Sequence, residues 1–200
     1  MIRILPVILM ILVLLGCSSN SPSPKFYTLN SLILPGQDEP PASKSVTVVF
    51  GIGPIGIPDY LDRPQIVTRT STNELLLSEF NLWGGSLKTD VHRVLIENIS
   101  SLLVSEPVTI VGWKTYVPGA YRIPVYLLRF DTVPDGSLSL RAKWGIVAQD
   151  GKTVVSIREF SITKPVKGKE YNDIVSAMSD ALADLSKEIA SAIKGVARSS

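Results

Sequence analysis

The sequence predicts an α+β fold, a two-layer sandwich in which a mainly antiparallel or mixed sheet carries two long amphipathic helices on one face. Two observations predict it. Apolar residues alternate with period two in several segments, as they do in half-buried strands, but they follow three- and four-residue steps near 83–103 and 174–193. Runs of strands between two helices also favour segregated layers over the regular alternation of a parallel α/β fold.

The chain begins with a short apolar leader that ends in its only cysteine. Arg3 precedes an aliphatic run over residues 4–15 that only Pro6 interrupts, and the sequence Leu-Leu-Gly-Cys closes it at Cys17. A membrane-spanning helix needs about 20 apolar residues, so the shorter run indicates the hydrophobic region of a signal peptide. Leu-Leu-Gly-Cys resembles the lipobox of bacterial lipoproteins, in which the cysteine receives a diacylglyceryl group. The alternative is an ordinary secretory signal or an anchor helix with an incidental cysteine.

We therefore expect three segments. Residues 1–16 form a lipoprotein signal peptide, residues 17–25 a lipidated cysteine with a flexible tether, and residues 26–200 a single domain. Acyl chains attach such a protein to a membrane, since each buried methylene adds about 0.8 kcal/mol. In enterobacterial lipoproteins an aspartate after the cysteine is associated with inner-membrane retention. Ser18 stands there instead, which favours the periplasmic face of the outer membrane over the inner membrane.

The charge balance and the single thiol exclude two classes of protein. Without Arg3 in the leader, 19 of the 20 basic side chains remain against 18 acidic ones. A near-neutral total gives no electrostatic footprint for nucleic acid. A lone cysteine inside the lipobox also leaves no disulfide framework, so the exported domain must depend on packing.

The first half of the domain is predicted to contain strands followed by a helix. Phe26–Leu29 and the alternating run Val46–Ile52 predict strands, and the proline-rich stretch 34–45 between them predicts a loop. The second strand runs into Gly51–Gly56, a formal match to the dinucleotide-binding pattern GxGxxG. That pattern needs a helix directly after the glycines. Prolines 54, 58 and 64 break any helix here, so we reject it.

A hairpin and the first helix follow. Gln65–Thr70 and Glu74–Leu77 flank the turn residues 71–73. The region from Trp83 to Leu103 then predicts an amphipathic helix. Its apolar stripe consists of Leu87, Val91, Val94, Leu95, Asn98, Ile99 and Leu102. We expect the side-chain amide of Asn98, the one polar group on this stripe, to be hydrogen-bonded in the core. A short strand is predicted at Val108–Val111.

The second half predicts a strand meander that ends in a long helix. Tyr121–Thr132 precedes the turn Pro134-Asp135-Gly136, and Asp150-Gly151 is a strong hairpin signal before Thr153–Thr163. Between these turns one strand face is apolar and should lie beneath the helices: Leu138, Leu140, Ala142, Trp144 and Ile146. The final helix is defined by another apolar stripe: Ile174, Met178, Leu182, Leu185, Ile189 and Ile193.

The segment Ile57–Arg69, with the sequence IPDYLDRPQIVTR, resembles the PqiC-like family of ABC-type transport auxiliary lipoproteins, the paraquat-inducible protein C type. Further pieces stand in the expected order: Phe26–Leu29 after the tether, Trp83 before the first helix, Arg93–Leu95 within it and Trp113 after it. The resemblance covers most of residues 25–195. It implies a non-enzymatic outer-membrane subunit of an envelope lipid-transport system, with an MCE-type transporter subunit as partner, that supports inter-membrane lipid trafficking and membrane integrity.

Two other functions are left open. The domain is alternatively a periplasmic carrier that holds a lipid in its own pocket, or a structural envelope lipoprotein without a transport role. An enzyme is not expected, because no nucleophile–base pair, metal-ligand cluster or cofactor motif is visible. The sole histidine, His92, is interpreted as a helix-surface residue. A homo-oligomer remains open.

The segment that carries the resemblance also carries the candidate site, which we name the docking loop. As partner contacts we single out Asp59, Tyr60, Asp62, Arg63, Gln65 and Arg69. The alternative is that Asp62 and Arg63 pair with each other and hold a proline-braced crossover in place.

A second candidate surface is basic. Residues 141–169 contain seven Lys or Arg, opposed only by Asp150 and Glu159. This stretch either faces anionic headgroups or an acidic partner, or is a solvated hairpin face, which we favour.

Overall fold

The computed structural model describes residues 22–32, 48–115 and 117–198. The predicted leader, Cys17, the whole proline-rich loop and the first residues of the second predicted strand lie outside those ranges. The described residues form eight strands and two α-helices: β1 Lys25–Tyr27, β2 Val48–Gly56, β3 Gln65–Ser71, β4 Glu74–Trp83, α1 Leu87–Leu102, β5 Val108–Gly112, β6 Tyr121–Thr132, β7 Leu138–Val147, β8 Val154–Lys164 and α2 Tyr171–Ala197. No helix within those ranges is both long and apolar enough to cross a bilayer.

The strands are divided between two sheets. One has three strands in the order β1-β4-β3, and the other has five in the order β5-β2-β6-β7-β8. Both are mixed, because β1 runs parallel to β4, and β2 runs parallel to β5 and β6. The predicted α+β class is confirmed. The single sheet that we expected is replaced by two.

Strand β2 contains the glycines of the rejected nucleotide pattern. It continues through Gly56 and is followed by a single 3-10 turn at Asp59–Leu61, so no helix N-terminus faces these glycines. Gly53 has a φ of 119°, and a side chain at this position would collide with the indole of Trp113. The glycine is therefore required by backbone conformation and close packing.

The two helices cover one face of the five-stranded sheet. Helix α1 packs on β2 and β5, whereas α2 packs on β6, β7 and β8 and also against α1. The predicted stripe of α1 is buried, except that Leu102 is half-buried. The core amide is satisfied as expected, because Asn98 donates to Ser186 Oγ (3.3 Å) and accepts from the Leu32 amide (2.6 Å).

Both helix starts are capped by side chains. Ser86 accepts a hydrogen bond from the Thr89 amide (3.4 Å), and Gly84–Gly85 separate β4 from α1, which is why the helix begins later than Trp83. Helix α2 begins with a capping box formed by Glu170 and Asp173. These caps satisfy amide groups that a helix start leaves without intrahelical partners.

The segment after β1 is clamped to α1. Asp90 accepts from the Leu29 amide (2.6 Å), and Arg93 donates to the Leu29 carbonyl (2.6 Å). The Leu29 side chain is 1% exposed. Arg93 is itself held by Asp90 and Glu97 on the same helix face. The clamp ties the chain that leads from the predicted tether directly to the helical layer.

A half-buried ion pair joins α2 to the edge strand β8. Lys164 contacts Asp184 at 2.5 Å, and Lys187 contacts the other oxygen of the same carboxylate at 2.8 Å. Burial raises the pKa of Asp184, but the hydrogen bonds and charges of the two lysines outweigh it and hold that pKa below its usual value.

Trp144 lies where the alternation of β7 predicts it, beneath the helices. It is 2% exposed, its neighbours on the same strand face are buried, and its Nε1 donates to Glu188 on α2 (3.2 Å). The Arg158 guanidinium lies over the ring, 5.7 Å from its centroid. Trp144 therefore combines a large buried area with a polar link to the helical layer.

Replacing Trp144 by alanine should lower the free energy of unfolding by about 3–5 kcal/mol, as large aromatic truncations in cores do. Trp113→Ala is the matched control, because Trp113 is 41% exposed and should cost clearly less. Urea unfolding monitored by circular dichroism measures both variants. Equal losses for the two tryptophans would contradict this assignment of the core face.

Candidate functional site

The docking loop is a stiff connection between β2 and β3. Its backbone closes on itself through hydrogen bonds from the Leu61 amide to the Pro58 carbonyl (2.9 Å) and from the Arg63 amide to the Leu61 carbonyl (2.9 Å). The Trp83 amide donates to the Pro64 carbonyl (2.7 Å), which fixes the far end of the loop to β4. Leu61 anchors its middle, because this side chain is 3% exposed. The loop therefore presents its remaining side chains in a fixed arrangement.

A buried carboxylate stands behind this loop. The side chain of Asp131 near the end of β6 is 0% exposed. One of its oxygens accepts from Arg69 Nη2 (2.9 Å) and Nε (3.2 Å), and the other accepts from Arg129 Nε (2.8 Å). Two guanidinium groups thus neutralise one buried negative charge, which satisfies both of its oxygens. We call Tyr60, Arg69, Arg129 and Asp131 the brace.

The brace connects the two sheets. Arg69 belongs to β3 in the three-stranded sheet, whereas Asp131 belongs to β6 in the five-stranded sheet. The Arg69 amide donates to Thr132 Oγ1 (3.0 Å), and its Nη1 donates to the Thr72 carbonyl (3.0 Å) in the β3–β4 turn. Its guanidinium also lies over the Tyr60 ring, 5.9 Å from the centroid. One arginine therefore links a hairpin, a loop and a neighbouring sheet.

The electrostatics of the brace favour the charged pair and a neutral tyrosine. Burial lowers the pKa of Arg69, but the hydrogen bond and the charge of Asp131 outweigh it, so that pKa lies above its ordinary value. Burial raises the pKa of Tyr60, and the charge of Asp131 and a hydrogen bond to it raise that pKa further, against the opposing effect of Arg69. The phenol therefore stays protonated beside the carboxylate.

The structure separates the six predicted loop residues into two groups. Tyr60 and Arg69 belong to the brace and are half-buried, and Gln65 is half-buried at the start of β3. Asp59 and Asp62 are exposed, and Arg63 is half-buried. The role of all six as partner contacts stays a prediction, and only Asp59 and Asp62 among them are exposed.

The alternative interpretation of the loop needs correction. The ion pairs recorded within residues 22–32, 48–115 and 117–198 include none between Asp62 and Arg63. The Nε of Arg63 is buried and has no hydrogen-bond partner. The brace between Arg69 and Asp131 performs the structural role that we assigned to the internal pair.

The sole histidine is not on the free surface of its helix. His92 is half-buried between α1 and β2, and its Nε2 donates to the Ile52 carbonyl oxygen (3.0 Å). It borders a cleft of about 280 Å³ together with Lys88, Trp113 and Lys114. Within the described ranges, no group of three or more His, Cys, Asp or Glu side chains is placed to hold a metal ion.

The predicted basic stretch does not form one continuous patch. Lys143 on β7 forms an ion pair with Glu159 on β8 (3.1 Å), and Lys164 forms an ion pair with Asp184. Arg158 covers the Trp144 ring. Part of the positive charge is therefore neutralised or occupied inside the domain, in keeping with the solvated-face interpretation.

Removing Arg69 or Asp131 from the brace should destabilise the fold, because Asp131→Ala leaves two guanidinium groups without their carboxylate, and Arg69→Ala leaves the buried Asp131 with Arg129 as its remaining cation. Arg69→Ala and Asp131→Ala should each lower the free energy of unfolding by about 3–5 kcal/mol, and the double variant should lose clearly less than the sum. Lys143→Ala is the control for an exposed pair and should change it by under about 0.5 kcal/mol. Additive losses measured by urea unfolding would show that the two residues do not stabilise each other.

Comparison with known proteins places this architecture in a family. The Escherichia coli K12 protein named Intermembrane transport lipoprotein PqiC is 22% identical over 181 residues, which cover 90% of this chain and 92% of that protein. A crystal structure of an uncharacterized protein superposes with a TM-score of 0.72 at 20% identity, over 86% of this chain and 99% of the other. A crystal structure of a Xanthomonas campestris protein gives 0.65 at 16% identity, over 83% and 92%.

These structural likenesses, at low identity, concern the fold. The family assignment comes from the sequence, because the model of one family matches residues 27–190, from β1 into the last turns of α2. The matched range includes the docking loop and the whole brace. The chain belongs to the family of ABC-type transport auxiliary lipoprotein components.

Proposed function

We propose that this chain is a non-enzymatic subunit of an envelope lipid-transport system. In this proposal, acyl chains on Cys17 hold it at the periplasmic face of the outer membrane, and the domain binds an MCE-domain transporter subunit. The family match over residues 27–190 carries the proposal. The name of the E. coli relative, which describes intermembrane transport and a lipoprotein, supports the same role.

The clefts of the described residues favour an adaptor over a carrier. Ligand pockets are concave and lined mainly by apolar and aromatic side chains. Clefts of about 210, 280 and 500 Å³ border the described residues, and each opens to solvent beside charged groups. The largest is lined by threonines, Arg69 and Lys169 as well as by apolar groups. Native mass spectrometry with lipid extraction distinguishes the two roles, because a carrier retains its cargo and an adaptor does not.

The exposed part of the docking loop suits a protein partner. Asp59 and Asp62 offer carboxylates to solvent, while Arg63 keeps a buried Nε without an acceptor. A carboxylate or carbonyl from a docked protein would pair with the guanidinium of this half-buried side chain. Because the loop backbone is already fixed, binding would lose little conformational entropy. We therefore propose Asp59, Asp62 and Arg63 as the contact surface.

The anchor is tested by replacing the only thiol. Cys17→Ala should abolish incorporation of a palmitate analogue into the membrane fraction, because no other cysteine can accept the lipid. Ser18→Ala is the control and should keep the label. Equal labelling of the parent protein and Cys17→Ala would exclude the lipoprotein anchor.

The contact surface is tested by separating binding from folding. Asp62→Ala and Arg63→Ala should change the free energy of unfolding by under about 0.5 kcal/mol, since one side chain is exposed and the other has an unsatisfied donor. Both should reduce recovery of the MCE partner in a pull-down, because losing a desolvated interfacial pair can cost about 2–5 kcal/mol of binding. Lys167→Ala and Asp180→Ala are exposed controls of the same charge types. Variants that melt early but bind normally would show that the loop is only structural.

A further inference from the structure

The three-stranded sheet exposes several large apolar side chains that nothing in the domain covers. Phe26 is 65% exposed and Leu76 is 51% exposed, followed by Leu77 at 38% and Phe80 at 37%. Phe26 lies in β1 and the other three lie in β4. Scattered exposed leucines are ordinary on a protein surface, but four large apolar residues on two adjacent strands mark an interaction surface.

Strand register places at least two of these residues on the same outer face. Phe26 lies opposite Leu82, which in turn lies opposite Gln65, so all three share one side of the sheet. A register shift between Gln65 and Val67 lets Ile66 and Val67 both face the core, where both are buried. The following residue, Thr68, and its partner Leu76 therefore return to the outer face with Phe26.

The direction of the chain relates this surface to the predicted anchor. Because β1 is parallel to β4 and pairs with Asn81–Trp83, the N-terminal end of β1 is the end nearer to Leu76. Leu76 is five residues from Asn81, or roughly 17 Å along a strand. The seven residues Ser18–Pro24 span at most about 25 Å when extended. The bilayer that holds Cys17 is therefore within reach of the apolar surface.

We propose that the outer face of the three-stranded sheet, with Phe26, Leu76 and Phe80, lies in the headgroup region of the bilayer that holds the anchor. This inference rests on the proposed acylation of Cys17. Partly buried apolar side chains add to the affinity of acyl chains and fix the orientation of the domain, which a tether alone leaves free. The exposed charges nearest these residues in sequence, Lys25 and Glu79, have opposite signs. The contact is therefore apolar rather than electrostatic and resists high salt.

A single added cysteine tests this contact in the full acylated chain. Acylation blocks Cys17, so Leu76→Cys provides a unique thiol for a bimane label after reconstitution into phosphatidylethanolamine–phosphatidylglycerol vesicles. Leu128→Cys is the matched control, because Leu128 is also an exposed leucine (43%) but lies on the five-stranded sheet. Brominated lipids should quench the label at position 76 by about twofold or more, as expected for a side chain at the acyl boundary, and leave position 128 unquenched. The quenching at position 76 should be equal at low salt and in 1 M salt, because 1 M salt screens electrostatic attraction at a surface but leaves an apolar contact intact.

Two results would overturn the proposal. Quenching at position 76 that is absent, or no stronger than at position 128, would show that the three-stranded sheet is not the face that contacts lipid. A blue shift at position 76 that depends on protein concentration and needs no lipid would assign the surface to a second copy of the chain. Phe80→Cys gives an independent position if Leu76→Cys folds poorly. Palmitate labelling of the same samples separates the two claims: acylated protein without quenching rejects this contact alone. Unacylated protein rejects the anchor, and quenching of the Cys17→Ala, Leu76→Cys double variant, whose only thiol is at position 76, after direct addition to vesicles still decides whether the sheet contacts lipid.

Discussion

The contact between the buried carboxylate of Asp131 and the guanidinium of Arg69 determines how the two sheets are placed. Apolar packing alone permits neighbouring layers to slide, because dispersion has little directional preference. A charged pair with two hydrogen bonds fixes both distance and orientation, and its burial makes separation costly. The Arg69 guanidinium also contacts the docking loop through the Tyr60 ring and the β3–β4 turn through the Thr72 carbonyl, so one side chain ties both segments to the five-stranded sheet.

Local features of the structure follow directly from the sequence. The apolar stripes of both helices and the inward face of β7 were predicted from periodicity alone and are buried, apart from the half-buried Leu102 and Ile174. The turns at Pro134–Gly136 and Asp150–Gly151 have their glycines at positive φ, 84° and 69°, which the turn chemistry predicts. Each prediction depended on residues close together in the chain, where spacing and side-chain type are sufficient.

Long-range features could not be predicted in this way. The periodicity of a strand predicts which of its faces is buried, but not which strand lies beside it. The parallel pairing of β2 with both β5 and β6 therefore had no local signal in the sequence. Asp131 was missed because an acidic residue in a strand normally faces solvent, and its partner Arg69 is 62 residues away. Asp131 is buried between Phe130 and Thr132, but that burial is visible only in the structure.

The clamp behind β1 has a mechanical consequence. Tension applied to the N-terminal end of β1, along the axis of that strand, would load its pairing with β4 in shear. The paired residues Lys25–Tyr27 would then bear the force together instead of separating one by one. Any force that passes β1 reaches the Leu29 backbone and is transferred to α1 by Asp90 and Arg93. The domain is therefore built to transmit a pull into its helical layer, while the docking loop, attached through β3, lies off that line of force.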